Sequence, residues 1–311
     1  LDMSILAVGS VALDSVETPF GHAERVIGGS AVFFSASASL LSDVSVVGVV
    51  GDDYPLDQLA FLKNRGVDLS GIQRENGESF SWVAKYHSDL SSRDTIETRL
   101  GVFEGFNPRI PKELQQSEYV FLGNIDPTLQ HQVLDQVDSP TLVACDTMNY
   151  WIEGKRESLI DLLARVDILI LNDEEARQLS EKSNLLQASR WIQERGPQVV
   201  VVKKGEHGAA LFADDWVFFV PGFPLEQVFD PTGAGDAFAG GLLGYISQRD
   251  STSVANLRRA MVYGSVLGSF AVEKFSIDGL RDLTESDIFE RVRKLSAMTT
   301  FEIDEGAESL A

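Results

Sequence analysis

The run Asp230-Pro231-Thr232-Gly233-Ala234-Gly235-Asp236-Ala237-Phe238-Ala239-Gly240-Gly241 sets an aspartate behind a glycine-rich turn, at the start of an apolar helix. Glycine lets the backbone approach a ligand closely, and the first amides of a helix have no intrahelical acceptor, so they face an incoming anion. An ionised carboxylate in such a turn opposes a phosphate unless it has a task. The obvious task is to take the proton of a hydroxyl that attacks a phosphoryl group. Turns of this composition also exist only for tight packing. Two aspartates, a Pro-Thr pair and a glycine-rich helix start together weigh toward chemistry. Two common nucleotide motifs are excluded here. A P-loop needs Lys and Ser/Thr after its glycines, where this turn has Asp236-Ala237, and the third glycine of G-x-G-x-x-G would fall on Phe238.

The elements that must position this turn alternate. Short apolar runs at 4–8, 44–49, 119–122, 141–145, 168–171, 199–202 and 209–212 read as strands. Helical patterns lie at 31–41, 56–65, 174–179, 185–194 and 255–272, and Phe218-Phe219-Val220 reads as a strand end ahead of the turn. Runs buried on both faces and separated by helices predict a three-layer α/β/α core with a mainly parallel central sheet. Ligands of such sheets gather at the carboxyl ends of the strands. From 71 to 106 the pattern changes to period two, as in Ser79-Phe80-Ser81-Trp82-Val83-Ala84-Lys85-Tyr86 and Asp94-Thr95-Ile96-Glu97-Thr98-Arg99-Leu100. Half-buried antiparallel strands look like this. The expectation is one α/β domain over 1–311 with a small β-sheet lid from 71–106 and a further strand at 14–26. The acidic stretch Phe301-Glu302-Ile303-Asp304-Glu305-Gly306 reads as a frayed tail.

A net charge of −21 argues against a nucleic-acid partner, which needs a basic footprint. The single cysteine, Cys145, rules out an intramolecular disulfide and fits a reducing cytoplasm; within its apolar run it reads as core. No apolar stretch approaches the roughly 18 residues needed to span a bilayer, so no membrane partner is expected.

Other residues carry chemistry by type and place. Asp14 follows the first strand, where a carboxylate can accept hydrogen bonds from substrate hydroxyls or merely cap a turn. Gly28-Gly29-Ser30 opens a small-residue helix. Asn172-Asp173-Glu174-Glu175 follows a strand, and its Asn172/Glu175 spacing is sufficient for a capping box. Val202-Lys203-Lys204-Gly205-Glu206-His207-Gly208 ends a buried strand in a basic, glycine-punctuated turn that could neutralise phosphate oxygens or simply face solvent.

In this order the pieces resemble the ribokinase-like (PfkB) family of carbohydrate and nucleoside kinases, over about residues 4–280. Residues 230–243 match its C-terminal signature, Asn172-x-x-Glu175 its N-x-x-E element, and Lys203-Lys204-Gly205-x-x-Gly208 its T-x-G-x-x-G position. The resemblance implies Asp236 as catalytic base and the amides of Gly233, Ala234 and Gly235 as an anion hole. It implies that Asn172 and Glu175 place Mg²⁺-bound ATP phosphates, Glu175 through water. Lys203, Gly205 and Gly208 would line the nucleotide site, with Tyr263 and Gly264 near the adenine. Asp14, Gly28 and Gly29 would hold the sugar under the lid. Many relatives use a monovalent cation, K⁺, near the loop that begins at Asp230, and a homodimer through the lid is implied in the same way.

Two departures stand out. Phe33 occupies the place of an asparagine that bonds a sugar hydroxyl, which suggests an aromatic wall against the substrate ring. Lys203 replaces the usual threonine, so the nucleotide contact there must differ. The leading expectation is an ATP- and Mg²⁺-dependent kinase acting on a primary hydroxyl of a small sugar. The alternatives are a nucleoside kinase, with Phe33 as a stacking surface, and a non-catalytic sugar- or nucleotide-sensing relative.

Overall fold

The structure, a computed structural model, describes residues 4–90 and 92–300; the acidic tail from Phe301 lies outside them. The strands are β1 (Ile5–Val8), β2 (Ala12–Thr18), β3 (Gly21–Gly28), β4 (Val44–Val50), β5 (Asp68–Arg74), β6 (Ser81–Tyr86), β7 (Arg93–Arg99), β8 (Tyr119–Leu122), β9 (Leu142–Asp146), β10 (Ile168–Asn172), β11 (Val199–Lys203), β12 (Ala209–Ala213) and β13 (Trp216–Val220). Nine pair in the order β13-β12-β11-β10-β9-β8-β1-β4-β5. From β11 to β5 all neighbours run parallel, whereas β12 and β13 are antiparallel. The turns before β12 and β13 are too short for the crossover that parallel pairing demands.

Period-two alternation divides the sheet between two cores. In β1, Ile5 and Ala7 enter one and Leu6 and Val8 the other; in β10, Ile168 and Ile170 part from Leu169 and Leu171 in the same way. The helices Ser30–Ala38, Ala234–Arg249 and Val254–Ala271 close the first core. Pro127–Leu134, Arg156–Leu163, Asp173–Ser180 and Leu185–Gln193 close the second. The expected three-layer arrangement is therefore present. Cys145 is fully buried, its thiol donates to the Asp146 carbonyl, and burial pushes its pKa up, so it serves the core.

The other four strands form a separate sheet in the order β3-β2-β6-β7. Two expectations need correction. The segment 14–26 is not one strand but most of a hairpin, because Pro19-Phe20 reverses the chain between β2 and β3. Residues 71–74 belong to β5 of the large sheet, where Gly71 passes so close to the Val46 carbonyl that a Cβ would collide. The expected strand end at 218–220 is present, since β13 stops at Val220, and residues 221–229 lead from it to the glycine turn. The small sheet is tied to the core beside β4: Asp53 accepts from the Ser79 amide and hydroxyl, both at 2.7 Å, and pairs with Arg25; the Ser79 hydrogen bonds first and Arg25 second hold its carboxyl below the usual range despite partial burial.

Candidate active site

The parallel strands end on one edge of the large sheet, and that edge collects the chemistry. Asp146 closes β9, Asn172 closes β10 and Lys203 closes β11, with Asn172 and Lys203 in register. From the facing side the loop 229–233 delivers the helix Ala234–Arg249.

That loop is braced at its base. The Asp230 carboxylate accepts from the Thr232 amide at 2.9 Å and from the Ser276 amide at 3.2 Å, and it is 1% exposed. Gly233 is the N-cap, with φ 73°, and the Phe33 ring lies directly where its Cβ would stand. The amides of Gly233 and Gly235 have no protein acceptor among the described residues. The Ala234 amide does: it donates to the Pro231 carbonyl at 3.2 Å, so it drops out of the expected anion hole. Asp236 sits in the first turn, partly exposed, beside those free amides.

Asp14 lies on β2, opposite Val26 and Trp82 in the small sheet. Gly28 has no room for a side chain, because a Cβ would run into the Asp14 carboxylate. Gly29, at φ 99°, supplies a backbone hydrogen bond to that carboxylate. The Ser10 and Ser30 hydroxyls accept from each other's backbone amides at 3.1 and 2.9 Å, which locks this approach to the helix Ser30–Ala38. Phe33 is not a substrate wall in this structure: it is 1% exposed and packs beneath Gly233. An apolar ring there supports the loop through contact, where an asparagine would offer polar atoms. Two tyrosines that the sequence did not single out face this region. The buried Tyr54 hydroxyl has no partner among the described residues and lies in the field of Asp14. The Tyr86 hydroxyl, on the small sheet, accepts from Thr232 at 3.3 Å.

On the nucleotide side Asn172 and Glu175 form a complete capping box: the Asn172 amide donates to Glu175 Oε2 at 2.7 Å, and the Glu175 amide to Asn172 Oδ1 at 2.8 Å. Lys203 pairs with Asp146 at 2.7 Å instead of lying along the turn after β11. Asp146 was missed because the expected strand ended one residue early. Gly205 is exposed with open space around it, whereas Gly208, at φ 84°, packs on residues 220–222. Gly264 is a helix-packing glycine against Phe238, and the Tyr263 ring stacks on Tyr245 at 4.6 Å. Their neighbour Ser265 donates to the Pro221 carbonyl at 2.7 Å, which brings this helix against the same 220–222 segment.

Burial dominates the electrostatics. Asp14 is pushed up to about 7 by burial, then by the charges of Asp230 and Asp236. Asp236 is pushed up to about 7 by burial and Asp146, with Lys203 opposing. Glu175 also rises to about 7 through burial, with Lys203 opposing and Asp146 adding. Carboxyls raised in the folded state stabilise it fully below their unfolded pKa, and that contribution is lost as pH rises through about 7. The ligand-free protein is therefore expected to lose melting temperature between pH 5.5 and 8, with a shallower loss in Asp236→Asn; thermal melts across that range with equal slopes would contradict it.

Mg²⁺ carried with ATP takes one or two protein carboxylates and completes its octahedron with phosphate oxygens and water. Among the described residues no trio of acidic, histidine or cysteine side chains forms an all-protein cage. Glu175, with one oxygen on the Asn172 amide and its charge disfavoured by burial, fits that lighter role.

A model described as pfkB family carbohydrate kinase matches residues 5–280. The cytidine kinase of Thermococcus kodakarensis is 29% identical to this chain, covering 78% of it and 87% of the relative. The aminoimidazole riboside kinase of Salmonella typhimurium is 32% identical, covering 86% and 88%. The solved nucleoside kinase of Burkholderia thailandensis, in complex with inosine, superimposes with a TM-score of 0.77 at 21% identity, covering 94% of this chain and 99% of that one. Among the described residues no helix is long and apolar enough to cross a membrane. The family match spans both the glycine turn and the edge it faces, so the chain belongs to the pfkB family of carbohydrate kinases and is a phosphotransferase acting on an alcohol group.

Proposed function

We propose that this kinase transfers the γ-phosphoryl group of ATP to a primary hydroxyl on a sugar ring, with Asp236 as general base. The observation that carries the reading is the position of Asp236, in the first turn of its helix beside the free amides of Gly233 and Gly235, with its charge felt at Asp14. When bound, Mg²⁺ supplies charge neutralisation for the phosphates. Asp14 accepts hydrogen bonds from ring hydroxyls, and Gly28 and Gly29 let the ring come close. Asp236 takes the acceptor proton, and the Gly233 and Gly235 amides stabilise charge that develops on the phosphoryl oxygens. Glu175 and Asn172 serve the metal-phosphate side, Gly205 and Gly208 the nucleotide, and the helix around Gly264 flanks the adenine.

A nucleoside acceptor stands ahead of a free sugar, because cytidine and an aminoimidazole riboside belong to the names of the relatives above. The earlier ground for a nucleoside, stacking on Phe33, falls with the burial of that ring. Steady-state assays across nucleosides and free sugars test this: a preference for a free pentose or hexose overturns the nucleoside reading, and no turnover of any acceptor favours the sensing relative.

The small sheet is the lid in this reading. It reaches the active loop through Thr18, whose hydroxyl donates to the Phe229 carbonyl at 2.8 Å, and through Tyr86. Protection of residues 81–99 from hydrogen exchange should rise with acceptor plus a nonhydrolysable ATP analogue, and unchanged exchange counts against closure. The outer strand β7 is exposed along its whole length, with Ile96 63% exposed, which supports pairing with a second copy. Both Asp230 oxygens are engaged by amides, so a K⁺ ion would lie beside that brace; equal turnover in potassium and tetramethylammonium chloride removes the cation from the scheme.

A further inference from the structure

We infer that the Lys203 ammonium is a catalytic cation of the anion hole, contacting the transferring phosphoryl group, and that Asp146 is the residue that positions it. This rests on the reading that transfer takes place at residues 233–236.

Three observations carry it. First, the side chain leaves its own turn for the start of the helix Ala234–Arg249. It doubles back over β10 to reach Asp146 on β9, and Nζ ends 2.9 Å from the point where a Cβ on Gly235 would stand. Its Cε and Cδ lie 3.5 and 3.6 Å from the same point, so the lysine fills the side of the helix start that a larger residue 235 would occupy. A side chain at residue 235 would therefore have to displace the ammonium from its place beside Asp146.

Second, the pair is largely withdrawn from solvent, with the lysine the more open member. The Asp146 side chain is 5% exposed and that of Lys203 18%. Asp146 is the sole hydrogen-bond partner of the ammonium among the described residues. An ammonium has three donors, so two remain for a ligand.

Third, the charge balance is uneven. Burial alone would lower the Lys203 pKa, but Asp146, Glu175 and Asp236 together outweigh it and hold the ammonium protonated. One buried cation therefore stands among three carboxyls, at the point where a phosphoryl group brings further negative charge. Transfer forms a bond from the acceptor oxygen to the γ-phosphorus, breaks the bond to the oxygen bridging to the β-phosphate, and leaves the acceptor proton on Asp236. Charge spreads over the equatorial oxygens as this happens. A cation held before the reaction by a buried partner costs no reorganisation at that moment.

The test compares a transition-state mimic with a ground-state mimic in Lys203→Met, Asp146→Asn and the double variant. The double variant is included because Lys203→Met alone leaves a buried unpaired carboxylate and could fail to fold. Lys203→Met and the double variant are expected to lose roughly 10²-fold in kcat, the scale of a lost oxyanion donor, with KM for ATP within about threefold. Calorimetric affinity for ADP with aluminium fluoride should fall in proportion, while affinity for a nonhydrolysable ATP analogue barely moves. Asp146→Asn should lose less, and the double variant should match Lys203→Met. Equal weakening toward both mimics would make Lys203 a plain nucleotide contact and overturn the inference. So would an intact kcat with only a lowered Tm, which marks a structural ion pair. If the wild type turns over no acceptor, the proposed function fails, and the two affinities still decide the role of Lys203.

Discussion

Asp236→Asn is expected to lose ~10²–10⁴-fold in kcat, the range spanned by general-base catalysis, while ATP affinity stays within a few-fold. Asparagine keeps the shape and removes the proton acceptor. Misfolding would not explain such a loss, because the substitution also removes a charge that burial and Asp146 disfavour. The variant should melt no lower than the wild type near pH 8. The base works only when ionised, so wild-type kcat/KM should rise as pH passes upward through about 7, and the variant should lack that limb. Turnover in the variant within tenfold of wild type would remove Asp236 from the base role. A rising limb that survives would assign the titration to another carboxyl, with Asp14 and Glu175 as the candidates at the same pKa.

Gly233→Ala is the second large effect, and it has two separable causes. A φ of 73° costs an L-residue roughly 1–2 kcal/mol, and the new Cβ would also enter the Phe33 ring. The ring cannot yield easily, since Phe33, on the helix Ser30–Ala38, is 1% exposed within the core. The expected outcome is a turnover loss of at least ~10²-fold, because the Gly233 and Gly235 amides are displaced from the geometry that stabilises charge. Adding Phe33→Ala to Gly233→Ala should restore part of the activity, although Phe33→Ala alone costs about 3–5 kcal/mol through the cavity that it leaves. Such a cycle should be strongly non-additive. Simple additivity would mean that the loop does not rest on Phe33.

Much of the core was legible because its signals are local. Runs buried on both faces, the capping box at Asn172/Glu175 and the glycine turn before Asp236 depend on neighbours a few residues away, and the structure contains each of them. The misreadings share one cause. The 71–74 segment carries a strand pattern, but pattern does not say which sheet the strand joins; close backbone contact with β4 decides that. Likewise, the segment 14–26 kept its period-two pattern on both sides of Pro19, and only the pairing of β2 with β3 shows a hairpin.

Phe33 and Lys203 mark the same boundary within the site. Each was visible as a departure from the family pattern; packing overturns the substrate wall expected of Phe33 and gives Lys203 a partner, Asp146, that its own turn does not announce. Phe33 turns under Gly233, a contact across 200 residues of chain, and Lys203 reaches Asp146 over an intervening strand. The kinase family could be read from the chain before any fold was known, because its motifs are local in sequence and span residues 5–280. Tertiary structure alone decided what surrounds Asp236. Side-chain direction, burial and the pairing of distant charges follow from strand order and helix packing, which no local spacing contains.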